Sequence, residues 1–129
     1  MRQLIVALAT FSVFFQASAF KDVVVHEKTR ALVELLPQMS PGQRTQKVEE
    51  FKNDLFELLN TMPIPNTPEE DEEYASITEF SGYVNMIETT GLNKAKCDSM
   101  MRDIRLSTGS EEVATEAKMA IHISAALCK

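Results

Sequence analysis

The sequence predicts an all-α protein, a small up-down bundle of four to five helices behind a cleavable signal peptide. Three observations carry that expectation. Apolar residues recur at alternating spacings of three and four along most of the chain, the period of an amphipathic helix. Ser40, Thr67, Asn93 and Ser110 each stand just before such a run, where a helix start needs a side-chain acceptor. There is no Trp, and the four Gly and five Pro fall mostly in the connections.

Residues 1–19 have the three parts of a secretory signal: Arg2 as the positive end, an apolar run from Leu4 to Phe15, and Ala17-Ser18-Ala19 as a small-x-small cleavage site. A membrane span needs roughly 20 apolar residues, so the run reads as a cleaved segment and no span follows it. The expected product is a single helical domain, residues 20–129, exported to a periplasmic or extracellular space.

The whole chain carries a formal net charge of −6, and removal of Arg2 leaves 12 basic residues against 19 acidic ones, or −7. A nucleic-acid partner is disfavoured, because phosphate contacts need a basic face.

Asp22 is placed to cap a first helix that runs to about Leu36, where Pro37 opposes continuation. Val24, Val25, Ala31, Leu32, Leu35 and Leu36 are expected on its inner side. Ser40-Pro41-Gly42-Gln43 has the grammar of a capping box with proline at the first helical position. The second helix should reach about Met62, with Val48, Phe51, Leu55, Leu58 and Met62 as its stripe and Phe56 and Leu59 widening it.

Pro63-Ile64-Pro65-Asn66 is a stiff connector, since each proline removes a donor and extends its predecessor. Thr67-Pro68-Glu69-Glu70 opens a third helix. Ile77, Phe80, Val84 and Ile87 form its stripe, and it is expected to end near Thr90 with Gly91 as the left-handed stop. Asn93 caps a fourth helix with Cys97, Met100, Ile104 and Met101 on one face. Ser110, Glu111 and Glu112 should start the last helix, whose inner face is Val113, Ala117, Ala120, Ile121, Ser124, Leu127 and Cys128. Short connections make successive helices antiparallel neighbours, and the hairpin carrying both cysteines is expected to be the organising unit.

In an oxidising compartment Cys97 and Cys128 are expected to pair, with two buried free thiols as the alternative. Closing a loop of about 30 residues would stabilise by roughly 3 to 4 kcal/mol in the chain-entropy model. The register opposes this. A tight turn near Ser107 to Ser110 places Cys97 opposite about Ala120 and leaves Cys128 roughly 11 Å further along. Cα atoms more than about 7 Å apart cannot be bridged without backbone movement.

His26 and His122 fall on polar faces by helical phase, whereas a metal or haem site in a bundle needs ligands projecting inward. Cys97, Met100 and Met101 offer soft sulfur within about one turn, a donor set that suits Cu(I). Methionine is also the ordinary filler of irregular cores, and that is the reading taken here. The run Glu69, Glu70, Asp71, Glu72, Glu73 is a possible partner surface. It lacks the alternating acids and central glycine of a calcium loop, and acids at a helix start are stabilising in their own right.

In size and architecture the chain resembles the small periplasmic haem bundles of the b-type cytochromes. It departs from their ligand pattern, an N-terminal methionine and a histidine near the C-terminus. No methionine precedes Met39 after the signal, His122 faces outward by phase, and no Cys-x-x-Cys-His attachment motif is present. No catalytic, cofactor-binding or metal residues are assigned.

The expectation is therefore a non-enzymatic exported protein that binds another extracytoplasmic protein as an adaptor, inhibitor or envelope component. A carrier of haem, copper or lipid is the alternative. A continuous pocket lined by Met100, Met101, Phe80 and Phe51 would favour the carrier; a packed core with an exposed apolar patch would favour the binding protein.

Overall fold

The structure is a computed structural model and describes residues 23–109 and 113–129. The signal at residues 1–19, the cap at Asp22 and the helix start at Ser110, Glu111 and Glu112 lie outside the described residues. Among the described residues five helices follow one another: α1 (Val23–Leu35), α2 (Pro41–Thr61), α3 (Pro68–Val84), α4 (Lys94–Leu106) and α5 (Thr115–Leu127), with a 3-10 turn at Leu36–Gln38. Among the described residues there is no strand.

The start of α2 follows its sequence grammar. The Ser40 hydroxyl accepts the Gln43 N–H at 3.4 Å, and the Gln43 side chain accepts the Ser40 N–H at 3.1 Å. Two donors that the helix itself leaves open are thereby satisfied. Thr67 caps α3 by accepting the Glu70 N–H at 3.1 Å, and Asn93 caps α4 by accepting that of Lys96 at 2.8 Å.

The centre of the fold is α5, which packs against α1, α2, α3, α4 and the 3-10 turn. Ala117, Ala120 and Ser124 are completely buried on it, and small side chains at these places let neighbouring helices approach closely. Met119, Ile123 and Ala126 are buried too, so the inner surface is wider than the sequence pattern indicated. The expected organising hairpin is thus only half central. α4 packs principally on α5, and α3 and α4, although successive, meet chiefly through it.

Four further expectations are corrected. In α1 the inner side is Val25, Thr29 and Leu32, continued by Leu36 in the 3-10 turn, while Val24, Ala31 and Leu35 are exposed. A threonine is accepted at the buried line because its hydroxyl donates to the Val25 carbonyl at 2.8 Å. Phe56 does not widen the stripe of α2; it is 63% exposed, because α2 lies at the side of the molecule and buries a narrow strip centred on Val48 and Leu55.

The third correction concerns the end of α3, which stops at Val84 rather than near Thr90. Met86 and Ile87 donate to Tyr83 and Val84, tightening the chain into a turn that still delivers Ile87 to the core with no exposure. Side chains of α2 replace the missing helical bonds. Lys52 donates to the Ile87 carbonyl, Thr45 to that of Thr89 at 3.1 Å, and the Thr89 hydroxyl donates to Glu49 at 2.8 Å. Gly91 is left-handed, at φ 64°, but inside this connection rather than at the helix end.

α5 opens at Thr115, with Val113 and Ala114 outside it, later than expected. Phe80, Ile77, Ile104, Ile123 and Leu36 are sealed in the core, and Phe51 meets Phe80 edge to face at 6.1 Å between ring centres. Such a pair contributes about 0.5 to 1.5 kcal/mol beyond its buried area.

Candidate functional site

The first turns of α2 and α4 and the last turn of α5 meet around an open cleft of about 780 Å³. Cys97 and Cys128 both line it, at disulfide distance, with Sγ atoms 2.01 Å and Cα atoms 6.2 Å apart. The register difficulty disappears because the α4–α5 connection spans residues 107–114 instead of a tight turn. Reflecting Cys97 through its midpoint reaches Ser124, and only about one turn, or roughly 5.4 Å, separates that residue from Cys128. Cys128 is also the C-cap of α5 and has left helical geometry, at φ −91° and ψ 3°.

Arg44 builds one wall. Its guanidinium donates to the carbonyls of Met39 at 3.0 Å, Pro37 at 3.2 Å and Leu127 at 3.5 Å, tying the chain before α2 to the end of α5. A planar fork of donors suits three divergent acceptors, as an ammonium would not. Lys94 pairs with Asp98 at 2.9 Å, and that hydrogen bond, with the carboxylate charge, holds Lys94 above the ordinary lysine range. Beyond the cleft, Lys96 bonds the Thr90 carbonyl at 2.7 Å and pairs with Glu88 at 2.9 Å. The hydrogen bond and charge of Lys96 hold Glu88 below the usual carboxylate range.

A second surface feature is apolar. Val24 and Val25 of α1 face Phe51, Leu55 and Leu58 of α2 across a groove of about 300 Å³, with Lys28 and Asp54 on its walls. A third depression, about 390 Å³, is lined by Met86, Met100, Glu88 and Lys96, and there the Glu88 N–H points at the Met100 sulfur over 3.1 Å.

The structure separates most of the residues that the sequence brought forward. Met101 lines the cysteine cleft while Met100 is buried against the Glu88 turn, and the Cys97 sulfur is engaged by Cys128. His122 is exposed and His26 half-buried on α1. Among the described residues no group of three or more His, Cys, Asp or Glu is arranged to hold a metal ion. No helix among them is long and apolar enough to cross a membrane.

In the acidic run, Glu69, Glu70 and Asp71 form the first turn of α3, and Glu70 accepts the Asn66 N–H at 2.8 Å. Glu69 to Glu72 are exposed and Glu73 is half-buried beside the connector, next to Ile64, which is 84% exposed. Arg44, Lys52 and the α1/α2 groove were not foreseen. Arg44 gave no signal because its farthest acceptor lies 83 residues away in sequence.

In comparison with known proteins, no family model, curated protein or solved structure matches the chain. The fold and the cleft define an all-helical protein with a cysteine pair joining its last two helices.

Proposed function

We propose that this is an exported, non-enzymatic helical protein that acts by binding another extracytoplasmic protein, and that the α1/α2 groove is part of the binding surface. The carrying observation is the distribution of apolar side chains. Phe51, Met100 and Met101 belong to three separate surface depressions, and Phe80 is sealed between helices. A haem, copper or lipid carrier would bring such residues around one cavity. Outside the core, Val24 lies exposed at the mouth of a groove whose floor is Phe51, Leu55 and Leu58. Apolar residues gathered beside polar walls are the common form of a protein-binding patch. The exposed acids from Glu69 to Glu72 would complement basic residues of a partner.

The cysteine pair supports export, because such bonds persist in oxidising compartments. The test is a photoreactive amino acid placed at Val24, and separately at His122, in protein expressed in its host. A discrete protein adduct from position 24 and none from position 122 is expected. Protein isolated from the same compartment with a stoichiometric small molecule, seen in a native mass spectrum, would replace this reading with the carrier.

A further inference from the structure

α1 and α2 are successive helices joined by a short connection, which makes them antiparallel, yet they scarcely touch each other. α1 packs on α5 and the 3-10 turn, and α2 packs on α3, α5 and the same turn. The space left between them is the groove lined by Val24, Lys28, Phe51, Asp54 and Leu58. At 100° per residue Val24, Lys28, Ala31 and Leu35 fall along one line of α1, about a quarter-turn from buried Val25, Thr29 and Leu32. All four are exposed. Lys47, Phe51, Asp54 and Leu58 repeat the same four-three-four spacing along the groove side of α2, with Phe51 and Leu58 half-buried and Lys47 and Asp54 exposed.

The charges of this face are balanced and unused. Lys28 on α1 and Asp54 on α2 stand on opposite walls, and among the described residues neither enters an ion pair. A face with one cation and one anion on either side of an apolar strip is complementary to itself. A two-fold axis along the groove sets α1 of each copy over α2 of the other, and Lys28 then meets Asp54 of the second copy twice. The register holds along the rest of both lines. Because the helices run in opposite directions with equal steps, Val24 lies over Leu58, Ala31 over Phe51, and Leu35 over the aliphatic stem of Lys47, whose ammonium is held by Glu50 of its own chain at 3.4 Å. Small Ala31 opposite the Phe51 ring permits close approach. Spacing and charge thus match the chain to itself, and that selects the occupant.

We infer that the occupant of the α1/α2 groove is a second copy of this chain, the two helix pairs closing into a four-helix layer with Lys28 and Asp54 paired across it. The inference rests on the groove being a protein-binding surface and names what it binds. Helices about 20 Å long give a contact at the small end of the interface range, so the association is reversible.

Sedimentation velocity of the mature protein in a concentration series up to about 1 mM should show monomer–dimer exchange. Lys28→Glu and Asp54→Lys, each alone, set two like-charge pairs across the axis and should weaken dimerisation at least about tenfold. Mixed in equal amounts the two variants should recover it, because both cross-axis pairs are then of opposite charge. Both positions are exposed, so neither change threatens folding. Wild-type protein that stays monomeric throughout, or a dimer equally strong in both variants, would overturn the inference. A photoreactive residue at position 24 separates it from the reading on which it rests. An adduct of twice the chain mass supports both. An adduct with a different protein keeps the groove as a binding surface but removes the second copy, as does a crosslink within one chain, and the absence of any adduct removes both.

Discussion

The Ser76 hydroxyl donates to the Glu116 carboxylate at 2.6 Å, joining the middle of α3 to the first turn of α5. Ser76 is buried and Glu116 half-buried, so the bond lies at the edge of the core and brings a negative charge to the positive end of the central helix. Ser76→Ala removes the donor while water still reaches the carboxylate. The expected loss is about 1 kcal/mol in the urea unfolding free energy, near the centre of the range for single hydrogen bonds. An unfolding midpoint equal to that of wild type would show that solvent replaces the serine fully.

The same helix start offers a stabilising change. Ala114 occupies the N-cap position of α5 in extended geometry, φ −62° and ψ 152°, and supplies no side-chain acceptor. Ala114→Ser or Ala114→Asp should raise stability by about 0.5 to 2 kcal/mol by accepting an N–H of the first turn. No gain in thermal or urea unfolding from either variant would mean that those donors are already satisfied.

Neighbouring residues on α2 test its phase. Leu55 is buried at 4% exposure, and Phe56, one position on, is 63% exposed. Leu55→Ala should cost about 2 to 5 kcal/mol, through lost transfer energy and the cavity left behind. Phe56→Ala should stay within about 0.5 kcal/mol of wild type, as surface changes usually do. The reverse order in denaturant titrations would place the wrong face of α2 on the core.

This pair also marks what was legible in the sequence. Helix starts were readable because Ser40, Thr67 and Asn93 satisfy donors within three residues, a strictly local matter. The end of α3 was not, because the chain after Val84 is held by α2 side chains far off in sequence, with Lys52 and Thr45 donating to its carbonyls and Glu49 accepting from Thr89. The α1 face was misphased because valine at 24 and leucine at 35 look as apolar as their buried neighbours. Which stripe is buried depends on where α5 lies. The cysteine pairing was expected from the signal-like start of the sequence, whereas its geometry depended on the length of the connection before Thr115.

Tyr83 provides a pH test. Burial, then the charge and hydrogen bond of Glu79, and then the charge of Glu116 raise its pKa above the ordinary value of 10.0. The native state thus favours the neutral phenol. Its contribution to stability is fully present below pH 10.0 and is lost as pH rises through that value towards the folded one. Tyr83→Phe should reduce the alkaline decline in unfolding free energy relative to wild type. Parallel declines in the two proteins would mean that Tyr83 titrates alike in both states.

The cysteine pair spans a sequence separation of 31 residues between two helices in direct contact. Its main effect on stability comes from the unfolded chain, which loses loop-closure entropy once the ends are joined. The chain-entropy model gives about 3 to 4 kcal/mol for a loop of this size. Cys97→Ser, Cys128→Ser and complete reduction all remove the same constraint, so their losses should agree within about 1 kcal/mol, the spread expected from local packing. Two free thiols packed on apolar faces would behave differently, with a larger loss at buried Cys97 than at half-buried Cys128 and none on adding reductant. Intact mass supplies the independent requirement: the oxidised protein must be lighter than the dithiol by two hydrogen atoms. Protein recovered from an oxidising compartment with both thiols free would remove the constraint from the fold.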